Sequence, residues 1–238
     1  LIRVVPETGS TNADLLARLA AGERIPEGEW LAADRQTSGR GRQGRSWLDG
    51  PGNFMGSTVV HVSPHDPPPA SLSFVAALAV YETVLARLGN PRELQLKWPN
   101  DVLLGGGKFC GLLLEREGGS VVIGVGVNLA SAPRSEAQAR ALAELGPAPD
   151  RDAFAAELAA HFALEVGRWR QFGLEPILNR WLAAAHPVGS RLTVHEPDGG
   201  RISGAFDGLE PDGALRLRLA DGSTRVIHAG DVMLGGAA

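Results

Sequence analysis

Cysteine is all but missing from this 238-residue chain, where Cys110 stands alone. That excludes an intramolecular disulfide and points to a reducing compartment. No apolar run approaches the roughly 18 residues that a membrane-spanning helix needs, and no basic-then-apolar leader opens the sequence. A cytoplasmic protein with no membrane partner is expected. Positive charge is not in excess either: 23 Lys and Arg face 27 Asp and Glu, a net charge of −4 with a pI near 5.9. A general nucleic-acid binder, and DNA as a partner, are therefore not expected. The six histidines lack the spacing of metal ligands, and no histidine neighbours Cys110 in sequence. Neither G-x-x-x-x-G-K-[ST] nor a complete G-x-G-x-x-G occurs, which removes the P-loop and Rossmann nucleotide enzymes. What is left, 44% hydrophobic and 21% charged, has the balance of a globular protein long enough for one large unit and one small one.

Against that background residues 35–47 stand out. Arg35, Arg40, Arg42 and Arg45 fall close together, Gly39, Gly41 and Gly44 are threaded among them, and no acidic residue lies between Asp34 and Asp49. Each interior glycine costs a helix about 1 kcal/mol relative to alanine, so a flexible loop is expected. Its backbone N–H groups and guanidinium forks suit carboxylate or phosphate oxygens. A solvated basic loop or a nucleic-acid tract would share this composition. A local positive field on an acidic protein favours a small anionic ligand over a polymer.

The remainder reads in order as strands and helices. Residues 2–5 form a short strand, and Thr8, Ser10, Thr11 and Asn12 offer N-caps for a helix through Ala21, with Leu15, Leu16 and Leu19 as its buried stripe. Residues 30–33 and 53–62 read as strands entering and leaving the arginine loop. Phe74, Leu78, Tyr81, Leu85 and Leu88 recur at helical period, and Gly89 is expected to end that helix. Residues 94–104 alternate like a strand but are broken by Pro99, which places them at an edge or a bend. After the turn at Gly105, Gly106 and Gly107, residues 108–115 and 120–129 pair through Glu117, Gly118 and Gly119. The unbroken apolar character of 121–127 marks a strand covered on both faces, and Gly124 and Gly126 would let something approach it closely. Residues 135–145, 152–171 and 174–185 read as helices. Beyond Pro187, short β-like runs at 190–196, 201–206, 214–219 and 224–228 are separated by Asp198-Gly199-Gly200, Pro211-Asp212-Gly213 and Asp221-Gly222, which suggests a small five-stranded barrel.

Lysine is scarce, and Lys97 and Lys108 lie either side of Asn100 and Asp101. A lysine partly inside a strand-built cleft is costly unless it faces an anion. Asp101 would either orient a lysine or help to hold a hydrated Mg²⁺ near phosphates. The residues alone therefore describe a cationic cleft for an oxygen-rich anion, suited to phosphoryl or acyl-phosphate chemistry.

Five motifs then give a resemblance. Ser10-Thr11-Asn12, the Gly39–Arg45 run, Lys97-Trp98-Pro99-Asn100-Asp101, Lys108-x-x-Gly111-Leu112-Leu113-x-Glu115 and Gly124-x-Gly126-x-Asn128 occur in the order and rough spacing of bacterial biotin protein ligases. The sequence resembles that family over essentially its whole length. The resemblance implies an α+β fold: a mixed sheet with flanking helices, like the class II aminoacyl-tRNA synthetases, over residues 1–186. An SH3-like β-barrel would follow over 187–238. It implies that biotin's carboxylate attacks the α-phosphorus of ATP, releasing pyrophosphate. A lysine of a biotin carboxyl carrier protein, that of acetyl-CoA carboxylase, then takes biotin from the adenylate.

On this resemblance Ser10, Thr11, Asn12 and Gln36 lie at the biotin ureido ring. Gly39, Arg40 and Arg42 form a loop closing on biotin and the phosphates. Gly111 and Gly124 offer backbone to biotin. Lys108, with Arg40 and Arg42, carries the catalytic charge. Arg45, Trp47, Lys97, Asn100, Asp101 and Asn128 face ATP or the adenylate, with Asn128 at the adenine and Asp101 at Mg²⁺. Many relatives carry an N-terminal helix-turn-helix that represses genes; with the first motif at Ser10 there is no room for one, so repression is not expected. An exposed sheet edge could pair with the carrier or with a second copy. Two alternatives stand beside this reading. A lipoate–protein ligase shares the chemistry, but its substrate has no ureido ring for Ser10, Thr11 and Gln36. A nucleic-acid-binding module would use the Arg-Gly loop, against the acidic pI.

Overall fold

A computed structural model describes all residues except 134, 136–137, 197–198 and 235–238. The chain runs β1 (Ile2–Val5), α1 (Thr11–Ala20), β2 (Trp30–Ala33), β3 (Phe54–His61), α2 (Leu72–Leu85), β4 (Leu94–Lys97), β5 (Asp101–Leu104), β6 (Gly107–Glu117) and β7 (Ser120–Val127). Then follow α3 (Arg151–Phe172), α4 (Glu175–Ala184) and the strands β8 (Arg191–His195), β9 (Arg201–Leu209), β10 (Leu215–Arg218), β11 (Thr224–Ile227) and β12 (Asp231–Leu234). The first seven strands make one mixed sheet in the order β1-β2-β3-β7-β6-β5-β4, in which only β1 and β2 pair in parallel. The last five make an antiparallel sheet of the SH3-like kind, in the order β11-β10-β9-β8-β12. The architecture is thus α+β, with helices flanking a mixed sheet and a small all-β unit after them.

Alternation along the central strands decides what each face of the large sheet does. Phe54 and Val60 of β3 and Val121, Ile123, Val125 and Val127 of β7 point to the main core, packed with α2, α3 and α4. The opposite face carries Val59 and Val122, which pack with Leu15 and Leu31 beneath α1. On that face the same strands also present Ser57, Gly124 and Gly126, so it is covered by apolar side chains at one end and bare at the other. The bare end holds the site.

Helix α2 is more deeply placed than a one-sided stripe predicts. Ten of its fourteen residues are buried, because sheet, α3 and α4 surround it. It ends at Leu85, before Gly89. Residues 94–104 divide at Pro99, as expected, and β4 is the sheet edge. The predicted helix over 135–145 is a correction. Residues 134 and 136–137 lie outside the described part, and the rest forms a strap against β6: Lys108 N–H donates to Gln138 O and Arg140 N–H to Lys108 O. The described remainder holds only a single 3₁₀ turn, Leu142–Glu144; backbone pairing with the sheet replaced the helical periodicity. Asp198 of a predicted turn also lies outside the described residues. Among the described residues, no helix is long and apolar enough to cross a membrane.

The small β unit is pinned to the large one. Trp98 Nε1 donates to Gly213 O at 3.0 Å inside the protein, and Gly213 lies against Phe74 of α2. Gly213 also has φ +89, and a Cβ there would sit 2.5 Å from the Phe74 ring. Gly213→Ala is therefore expected to cost about 1–3 kcal/mol through overpacking and backbone strain. Thermal unfolding of the variant, against wild type and an exposed control, measures this; an unchanged midpoint would mean that the contact carries no load.

Candidate active site

The site is built outward from missing side chains. Gly111 of β6 pairs in register with Gly126 of β7, and together they leave a flat backbone patch. The Trp47 ring lies on it: a Cβ at Gly111 would come within 2.8 Å of the indole, and one at Gly126 would overlap it. Two positions along β7, a Cβ at Gly124 would collide with the Asn12 side chain. The expected close approach at these glycines is thus real, made by an aromatic ring and by the start of α1.

A cavity of about 850 Å³ opens at this patch, toward the upper end of the range for small-molecule sites. One end is lined by Ser10, Thr11, Asn12 and Gln36 together with Gly56 and Ser57 of β3. Ser10 caps α1, its hydroxyl accepting from Ala13 N–H. Thr11 N–H donates to Gln36 Oε1 at 2.8 Å, which ties the helix start to the chain leaving β2. Ser10, Thr11, Asn12 and Ser57 are buried and Gln36 is half-buried, and Thr11 is bonded to Gln36 and Ser57.

The other end is cationic. Asp101, on β5, accepts salt bridges from Lys97 Nζ at 2.9 Å and Lys108 Nζ at 3.0 Å, and these are the only lysines in the sequence. Burial of Asp101 pushes its carboxyl up, but the two ammonium groups more than offset this and hold it below its ordinary value. Lys108 Nζ also lies 5.8 Å from the Trp47 ring centroid, at the limit for cation–π attraction. Burial, and then the Asp101 charge, push the nearby Cys110 thiol up, so Cys110 is an inert core group rather than a nucleophile.

Between the two ends hangs the arginine loop, which carries hydrogen bonds of its own. Gly41 N–H donates to Arg45 O, Trp47 N–H to Gly39 O, and Arg42–Gly44 makes one 3₁₀ turn. Each guanidinium leans on a different support. Arg40 pairs with Glu115 of β6. Arg42 Nη1 donates to Asn100 Oδ1 at 3.0 Å. Arg45 Nη2 meets Asp231 of β12 at 2.7 Å, and Asp231 also lies 3.7 Å from Arg42. Of the residues marked in the sequence, two stand off the cavity wall. Gly39 is buried behind it, against the Trp47 carbonyl. Asn128, only 2% exposed, donates its amide to Arg140 O and so holds the strap. Asn100 lines the cavity while its amide donates to Leu112 O at 2.6 Å.

The sequence reading missed Ser57, Gly56, His195 and Asp231 as cavity residues. Small residues interrupting the apolar strand at 56–57 were the available signal for the first two. Nothing local marks Asp231, which reaches the loop from 186 residues away.

The donor set around Asp101 bears on the Mg²⁺ expected there. Among the described residues no group of three His, Cys, Asp or Glu side chains converges, and the Asp101 carboxylate already faces two ammonium groups. A divalent cation there would be repelled by both, so these residues do not fit a protein-held Mg²⁺.

A mixed sheet with a glycine-floored cleft and a cation-lined mouth suits a small anionic ligand, and the family comparisons supply the class of protein. The biotin/lipoate A/B protein ligase family model matches residues 7–129, and the biotin protein ligase C-terminal domain matches 189–235. The chain belongs to this family. It is 39% identical to the biotin–[acetyl-CoA-carboxylase] ligase of Paracoccus denitrificans, over 98% of this chain and 100% of that one. It is 40% identical to the enzyme of the same name from Mycobacterium tuberculosis, over 97% of this chain and 87% of that one. The biotin protein ligase of Aquifex aeolicus, solved in complex with biotin and ATP, superposes with a TM-score of 0.85 at 25% identity over 98% of both chains.

The depressed carboxyl of Asp101 has a pH consequence. A group whose folded pKa lies below its unfolded value stabilises the fold above the ordinary carboxylate range, and that stability is lost as pH falls through the folded pKa. Asp101→Asn should therefore lose about 1–2 kcal/mol at neutral pH, where it leaves two lysines without their anion. The gap to wild type should narrow below the ordinary value of 3.8. Chemical denaturation at a series of pH values checks this; a gap independent of pH would show that the Asp101 charge is not the cause.

Proposed function

We propose that this protein is an ATP-dependent biotin protein ligase. It activates biotin to biotinyl-5′-AMP with release of pyrophosphate, then transfers biotin to a lysine of the biotin carboxyl carrier protein of acetyl-CoA carboxylase. The observation that carries the reading is that one cavity joins a polar end, at Ser10, Thr11 and Gln36, to a cationic end at Lys108, Lys97 and Arg42. Biotin fits this polarity, since its ureido ring needs donors and acceptors and its carboxylate needs a cation. The reaction brings that carboxylate against a triphosphate. Two anions repel in a site shielded from water unless fixed cations offset them.

Lys108 is the group for the reacting atoms. Held by Asp101 from below and Trp47 from the side, its ammonium stabilises charge that develops as the carboxylate attacks phosphorus. Arg42 and Arg45 are released from Asp231 to the phosphates, and Arg40 remains at the acyl end. Loop contacts over the adenylate keep water from hydrolysing it. Residues 1–186 carry both half-reactions. Residues 187–238 contribute Asp231 and the adjoining wall. The polar end disfavours the lipoate alternative, whose dithiolane offers nothing to hydrogen-bond. The carrier, or a second copy of the chain, meets the open edge of the large sheet at β1, since Ala185 bridges to Leu96 along the β4 edge. The enzyme acts in the cytoplasm, and not on DNA.

Pyrophosphate release on adding biotin and ATP tests this directly, with lipoate and ATP in parallel; turnover with lipoate alone would reverse the assignment. Lys108→Ala should lower adenylate formation by about a hundredfold or more, the loss from removing one charge-stabilising donor, with thermal stability retained. Near-normal release by that variant would take the role away from Lys108.

A further inference from the structure

The hydrogen bonds at the polar end of the cavity have only one possible direction. Glu115 is the starting point. One of its carboxylate oxygens pairs with Arg40, and the other accepts from Asn12 Nδ2 at 2.9 Å. A carboxylate can only accept, and the Leu113 carbonyl lies on the same side of Asn12. Asn12 must therefore turn its NH₂ toward Glu115 and its oxygen the other way. That oxygen lies 2.6 Å from Ser57 Oγ, and an amide oxygen can only accept. Ser57 thus commits its one proton to Asn12. Thr11 Oγ1 lies 2.7 Å from Ser57 Oγ, so in this contact Thr11 has to be the donor. Its other contact, to Gln36 Oε1, is longer at 3.2 Å, and Gln36 Oε1 already receives the Thr11 N–H.

The end of this chain faces the cavity. With its proton directed at Ser57, Thr11 Oγ1 turns lone pairs toward the lumen, and no described residue donates to it. With its oxygen held by Thr11 N–H, Gln36, which also lines the cavity, keeps Nε2 as a donor. An acceptor next to a donor is the complement of one N–H and the C=O of a cyclic urea.

We infer that Glu115, acting through Asn12 and Ser57, is a positioning residue that fixes the Thr11 hydroxyl as an acceptor for a ureido N–H. The inference rests on the biotin reading and adds the origin of its selectivity: the charge that sets the polarity of the floor is separated from the ligand by three side chains, Asn12, Ser57 and Thr11. Glu115→Gln weakens the constraint, leaving only the longer 3.4 Å contact of Asn12 with the Leu113 carbonyl. A glutamine amide can donate to Asn12, which lets Asn12 turn over, Ser57 donate to Thr11, and the Thr11 lone pairs be used inside the protein. Ser57→Ala cuts the chain without touching Arg40.

The test compares biotin with its cyclic carbamate analogues, in which one or the other ureido N–H is replaced by oxygen, by calorimetry on the full chain. Wild type should prefer biotin to the more weakly bound analogue by roughly a hundredfold, the scale for leaving a buried acceptor unpaired. In Glu115→Gln the preference should fall about tenfold or more, because biotin weakens while that analogue does not. Ser57→Ala should shift the ratio the same way, by less. Loss of the Arg40 ion pair, or general loosening, would weaken both ligands together and leave the ratio unchanged; an unchanged ratio in both variants overturns the inference while the biotin reading stands. Failure of wild type to bind biotin at all would overturn both.

Discussion

The cleft depends on holding five cations close together without a ligand. Lys97, Lys108, Arg40, Arg42 and Arg45 all line one cavity, and their mutual repulsion in a partly buried space has to be offset. Three carboxylates do this from three parts of the fold. Asp101 lies beneath the lysines, Glu115 holds Arg40, and Asp231 reaches across from the small β unit to Arg45 and Arg42. Carboxylates remain outnumbered. The cleft is therefore positive on a protein whose net charge is −4, which draws anions to this mouth and not to the surface at large. On the proposed function, an incoming phosphate would compete with Asp231 for Arg42 and Arg45.

Glycine governs the opposite requirement, close approach. At Gly111 and Gly126 the sheet offers bare backbone, and Trp47 fills that gap. The ring is a wall built from the loop itself, and Trp47 N–H is bonded to Gly39 O at the loop's other end. Floor and mouth therefore share one segment of chain. The polar end behaves differently, since Thr11, Asn12 and Ser57 are buried and mutually bonded. The site thus joins a rigid recognition end to a loop-borne charged end.

Much of the scaffold was legible because its signals are local. The strand at 120–127, the helix over 151–172 and the broken hairpin around Pro99 follow from periodicity, length and proline chemistry. So do the hairpin turns of the small β unit. Residues 135–145 were misread for an instructive reason. Alanines and alternating charges there satisfy helix propensity, but the backbone groups of Lys108 stand open at the end of the sheet and pair with Gln138 and Arg140 instead. Propensity is a weak term, and a sheet edge with unpaired donors outweighs it.

The sequence by itself determined which chemistry the protein carries. Scarce lysines beside an Asn-Asp pair, arginines spaced by glycine, and a hydroxyl-amide cluster at a helix start are covalent facts, and each constrains its own surroundings within a few residues. Only the tertiary structure decided how those groups are paired. That Asp101 serves both lysines, that Asp231 holds Arg45, and that Glu115 sets the direction of hydrogen bonds ending at Thr11 are consequences of strands adjacent in space and distant in the chain. Hydrogen bonds and ion pairs act over about 3 Å, and no pattern along the sequence records which remote carboxylate will come that close.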